Sequence, residues 1–137
     1  MIKISTNGWL TFDTAVTDSA RTDRMFPNAA VPNGLVAPFW DDLNRVRICT
    51  QQSGTKFIVQ WRGEVYRDST DVPQETVAFQ AILDSADDSI EFVYAPYMEA
   101  SGANASAGVE SNTGSQGTSV FFHTASVTPG TSVKLTP

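Results

Sequence analysis

Lys56-Phe57-Ile58-Val59-Gln60-Trp61 places Phe57, Val59 and Trp61 at alternate positions, and an extended chain brings alternate positions to one face. Gly54, just upstream, supplies a turn into this strand. Downstream, Thr76 to Leu83 repeats the pattern, with Val77, Phe79, Ala81 and Leu83 on one side. Asp84-Ser85-Ala86-Asp87-Asp88-Ser89 then leads into Ile90-Glu91-Phe92-Val93-Tyr94, and the spacing predicts an antiparallel hairpin over residues 76–94.

Outward from this centre the chain keeps the same character. Ile2 to Thr6 alternates apolar and polar residues, Asn7-Gly8 offers the positive backbone angles of a tight turn, and Trp9 to Phe12 continues as a strand. From Asp13 to Asn33 the residues turn polar and are broken by Phe26-Pro27-Asn28 and Val31-Pro32-Asn33, so one long surface loop is expected. Leu35-Val36-Ala37-Pro38-Phe39-Trp40 is an apolar run stopped abruptly by Asp41-Asp42, and Arg45 to Gln51 forms a short strand. After Pro96 the chain is small and polar through Gly117, with a strand near Ala105 to Val109, followed by strands at Ser119 to Phe122 and Ser132 to Leu135. No long stretch carries helical periodicity. The fold class is therefore all-β, and strands with one apolar face bury it best as an antiparallel two-sheet β-sandwich.

The 137 residues, without an internal linker, fit a single domain over 1–137. Eight Phe, three Trp and three Tyr within 41% apolar residues are enough to fill its core. Only 18% of residues are charged, and fifteen acids against nine bases give a net charge of −6, which opposes binding to nucleic acid or anionic lipid. Cys49 is the single cysteine, so no internal disulfide forms, and it reads as a small apolar residue of the interior. The opening Met1-Ile2-Lys3-Ile4-Ser5 lacks the apolar run of a signal peptide, and no membrane span is expected because no stretch approaches about eighteen consecutive apolar residues.

In order, Asn7-Gly8-Trp9-Leu10-Thr11-Phe12, Pro38-Phe39-Trp40-Asp41-Asp42-Leu43, Phe57-Ile58-Val59-Gln60-Trp61, Phe79-Gln80-Ala81-Ile82-Leu83 and Ile90-Glu91-Phe92-Val93-Tyr94 form a succession that resembles a bacterial extracellular β-domain. Such modules accompany secreted proteases and surface or adhesion proteins, and the first two elements are similar to those of nidogen-like domains. The resemblance implies a secreted or cell-surface location and a non-catalytic adhesion, recognition or spacer role exercised through protein-protein contacts. It also implies a strand ahead of the Asn-Gly-Trp element. Only six residues precede Asn7, so the sandwich is expected to lack an upstream strand, leaving an edge for β-augmentation by an upstream or partner strand.

Two other readings stay open at this level. A carbohydrate-binding module would use Trp9, Trp40 and Trp61 as ligand-binding residues, provided they are exposed, because aromatic faces stack on sugar rings. A hydrolase would need paired carboxylates, for which Asp41 and Glu64 are the candidates; His123, the single histidine, has no partner motif. Calcium is the one cofactor suggested, with Asp41 and Asp42 as one candidate ligand group and Asp84, Asp87 and Asp88 as another, since hard cations take several carboxylate oxygens. The alternative use of both groups is to satisfy turn backbone and nearby bases.

Overall fold

Strands β5 (Lys56–Val65), β6 (Glu75–Asp84) and β7 (Ser89–Tyr94) form an antiparallel meander in the computed structural model, which describes residues 1–17, 19–67 and 72–137. The expected hairpin is present, with Phe79 opposite Tyr94 and Asp84 opposite Ser89. Trp61 lies opposite Phe79, and their rings stack at 5.4 Å between centroids. On one side the meander is extended by β4 (Leu43–Ser53), joined to β5 through Gly54 and Thr55; on the other it is extended by β10 (Ser132–Leu135). This gives one five-stranded sheet, β10-β7-β6-β5-β4.

The second five-stranded sheet, β1-β2-β3-β8-β9, comprises β1 (Lys3–Ser5), β2 (Trp9–Thr11), β3 (Leu35–Trp40), β8 (Ser106–Glu110) and β9 (Gly117–Phe122). Every strand pairing in both sheets is antiparallel. The two sheets pack as the sandwich that the strand patterns require. Phe39 of β3 meets Phe79 across the interface at 5.5 Å between ring centroids. Polar ends of buried aromatics are satisfied by backbone carbonyls: Tyr94 donates its hydroxyl to Pro38 O at 2.9 Å, and Trp61 its indole N–H to Ser5 O at 2.8 Å.

β3 is buried along its entire length, on both faces. Val36 and Phe39 point into the main core, whereas Leu35, Ala37 and Trp40 point outward into a second cluster with Trp9 and Phe26. A register shift between Ala37 and Trp40 makes this division, and Pro38 sits within it at no cost in ladder donors. The described residues of 13–33 form the expected long connection, but they do more than cross the surface. They lie over the outer face of the β1-β2-β3-β8-β9 sheet and deliver Phe26, Val16 and Ala20 to the second cluster. Ala20 O accepts both the Trp9 and the Trp40 indole N–H, at 2.9 and 3.0 Å, so one carbonyl holds the loop to two tryptophans.

Two expectations need correcting here. Cys49 is exposed rather than internal, because β4 is an edge strand and position 49 points away from the other sheet. Trp9, Trp40 and Trp61 are only 2%, 0% and 0% exposed, so none presents a face to a sugar. The intersheet core takes up Trp61, and the loop covers Trp9 and Trp40.

Candidate functional site

The switch from apolar run to acids at Asp41-Asp42 is a structural joint. Asp41 is 7% exposed at the β3–β4 turn, where its N–H donates to Asn7 O at 3.3 Å. Its Oδ1 accepts the Asp42 N–H at 2.8 Å, and its Oδ2 accepts from Arg67 Nη1 at 2.7 Å. Arg67 also reaches Glu75 Oε2 at 3.0 Å, tying this turn to the start of β6. Burial pushes the Asp41 carboxyl above its ordinary value, and the Arg67 guanidinium pulls against that shift. Asp42 points the other way into solvent, 3.9 Å from Arg21. The two adjacent acids therefore do not converge, as expected for consecutive positions along an extended chain.

Asp84, Asp87 and Asp88 shape the β6–β7 turn. Asp84 accepts the Ala86 N–H at 3.0 Å, and Asp87 accepts the Ser89 N–H at 3.2 Å. Asp88 occupies the left-handed region with φ of 53°, which Asp tolerates better than most residues. Lys134 donates to Asp87 at 2.8 Å and holds that carboxyl down at about 2, helped by the Ser89 hydrogen bonds. Asp84 is lowered mainly by its hydrogen bond with Thr55 and lies 3.9 Å from Lys56. Among the described residues, no three acids, histidines or cysteines are grouped to hold a metal ion.

The other residues considered for chemistry are also engaged. Glu64 pairs with Arg45 at 3.6 Å and accepts the Tyr66 hydroxyl at 2.9 Å. His123 lies 3.1 Å from Asp23 and stacks on Phe122 at 4.0 Å between ring centroids. The 13–33 loop is itself fastened down. Lys3 Nζ donates to the Thr14 and Val16 carbonyls, and Arg24 reaches the Val31 and Pro32 carbonyls while lying over the Trp40 ring. Glu110 accepts the Asn28 N–H at 3.0 Å and lies 3.8 Å from Arg24; burial raises its carboxyl above the ordinary value.

A surface suited to recognition lies on the opposite side of the molecule. The outward face of the β10-β7-β6-β5-β4 sheet is only partly covered, with Ala78 buried there, and it carries a groove of about 390 Å³ lined in part by Gln60, Gln80, Val93, Pro96 and Tyr97. Gln80 Nε2 donates to Gln60 Oε1 at 2.9 Å across adjacent strands, leaving further amide donors and acceptors to face outward. Tyr97 is 53% exposed, with the Arg62 guanidinium 5.5 Å from its ring centroid. No motif in the sequence singles out Gln60 or Gln80. Gln60 and Gln80 could be read as outward positions of two strong strands, but nothing local in the chain tells which sheet keeps its outer face largely open.

No curated protein and no solved structure matches this chain. The family model described as NIDO related matches residues 1–136, and the chain belongs to that family of nidogen-related domains.

Proposed function

We propose that this NIDO-related domain is a non-catalytic recognition module of a secreted or surface-displayed bacterial protein, and that it holds a protein partner on the outward face of the β10-β7-β6-β5-β4 sheet. The observation that carries this reading is the asymmetry of the sandwich: the described residues of 13–33 cover one outer face, while the other is largely open and grooved. A groove mixing amides, an exposed phenol, apolar Val93 and Pro96, and a nearby guanidinium has the mixed polarity of a protein-binding surface. Family membership and the resemblance to secreted modules support the extracellular placement. The engagement of Asp41 by Arg67, Glu64 by Arg45 and His123 by Asp23 supports leaving catalysis out.

The test is binding of the domain to a panel of purified extracellular proteins, in parallel with Gln80→Arg and Tyr97→Ala variants. Binding abolished by these changes, and kept when Met25 on the covered side is changed to Ser, supports the assignment. Binding that follows Met25 instead moves the site to the loop. A carbohydrate ligand is the second reading, favoured by the exposed Tyr97 ring beside the Gln60–Gln80 amide pair. A glycan array on the same variants distinguishes the two. Surface labelling of intact source cells checks the location.

A further inference from the structure

We propose that a second copy of this chain pairs antiparallel with the free edge of β4, joining the two sheets across a dyad centred on Cys49. The inference goes beyond the proposed recognition face, since it concerns the sheet's edge.

Four strands end the two sheets, and they differ in length and protection. β1 has three residues, and its Lys3 is tied back to the 13–33 loop. β10 has four residues, carries Lys134 and is followed closely by Pro137. β9 has six residues and meets β8 through an irregular register. β4 has eleven, and from Arg47 to Ser53 it pairs with β5 without interruption. That run contains no Pro and no Lys, two residues by which natural edges are usually blunted. Arg45, at the irregularity that ends this run, is turned back onto its own sheet by Glu64 and the Tyr66 ring.

The phase of the ladder identifies the unpaired backbone groups. Ser53 and Lys56 flank a two-residue turn, which makes them a hydrogen-bonded pair; by alternation Gln51, Cys49 and Arg47 also face β5. The far side of the sheet agrees, because Ala78 O accepts from Ala95 N, which turns Phe79 toward β5 and Gln60 toward β4. Ile48, Thr50 and Gln52 therefore aim their N–H and C=O groups outward, and among the described residues no backbone or side-chain partner meets them.

A second copy fits this edge in one register especially well. With Cys49 opposite its own mate, Ile48 faces Thr50, Val46 faces Gln52 and Arg47 faces Gln51, so the only charged residue of the run meets a neutral amide rather than itself. Val46 and Ile48, partly exposed against the main core, gain a covering strand. The Cys49 pair is then a non-hydrogen-bonded one, whose Cα separation of about 4.5 Å lies within disulfide reach.

The test uses light scattering with size-exclusion chromatography on the domain, Thr50→Pro and charge variants at Gln51. Thr50→Pro removes only an outward donor, a change that edge strands tolerate, and unchanged circular dichroism and melting temperature verify its fold. The expected result is a dimer that Thr50→Pro dissociates, that Gln51→Glu strengthens through the partner's Arg47 and that Gln51→Lys weakens. Diamide then joins two Cys49 thiols, which lose two protons and two electrons as it is reduced to the hydrazine. Held as a pair, the thiols react on the order of 10²-fold faster than in Thr50→Pro at low micromolar concentration. A monomer at all concentrations overturns the proposal, as does a dimer indifferent to Thr50→Pro, or crosslinking equally fast in both proteins.

Discussion

At the residue scale, the Asn-Gly step at 7–8 shows how one position can be forced by its neighbours. Gly8 has φ of +81°, and a Cβ built there would lie 1.8 Å from Phe39 O. Both the backbone angle and the space exclude a side chain, so Gly8→Ala is expected to cost about 3 kcal/mol, measured by chemical denaturation. The acids divide into two groups with opposite pH signatures. Asp87 is lowered from 3.8 to about 2, so its contribution is present above the unfolded value and is lost as pH falls through the folded one. Asp87→Asn is therefore expected to flatten the fall in stability between about pH 4 and pH 2. Glu110 is raised by burial, so the folded state binds its proton more readily and stability falls as pH rises above the ordinary carboxyl range. Glu110→Gln should remove that part of the decline, seen in denaturation midpoints compared between about pH 4 and pH 7.

At the element scale, the 13–33 loop behaves as a lid on the outer face of its sheet, and one of its fastenings is a single carbonyl shared by two tryptophans. Trp9 and Trp40 both donate to Ala20 O, so either one alone keeps that oxygen partnered. Trp9→Phe and Trp40→Phe should each loosen the loop modestly, by about 1 kcal/mol for the lost hydrogen bond. The double variant should exceed their sum, because it removes both indole donors from the Ala20 carbonyl. Trypsin cleavage at Arg21 and Arg24 in the native state reads this local opening; additive cleavage rates would show that the two indoles act independently. By contrast, Trp61→Ala should cost about 3–5 kcal/mol in global stability, since Trp61 stacks on Phe79 within the intersheet core.

At the scale of the whole molecule, the domain has one covered outer face and one largely open one, and it uses its acids as joints. Asp41 fastens β3 to the start of β6 through Arg67 and Glu75, while Asp84, Asp87 and Asp88 build the β6–β7 turn. Because neither group converges on one point, millimolar calcium is expected to leave the melting temperature unchanged in a thermal scan. A rise of several degrees would assign a cation role to one of them, and Asp42→Asn and Asp88→Asn would show which.

Alternation at Phe57, Val59 and Trp61, and again at Val77, Phe79, Ala81 and Leu83, was enough to determine an all-β chain, because an extended backbone has a side-chain period of two and burial acts on one face at a time. Turn chemistry likewise placed the β6–β7 hairpin at Asp84 to Ser89, since its signals are local. What local pattern could not decide was which face each sheet leaves open. The continuous apolar run of β3 is explained only once residues 13–33 fold over it, a contact between segments distant in the chain. The same long-range packing buried Trp9, Trp40 and Trp61, put Cys49 on a free edge and left Gln60, Gln80 and Tyr97 facing outward. Strand character is written in neighbouring residues, whereas exposure depends on which distant segment arrives to cover them.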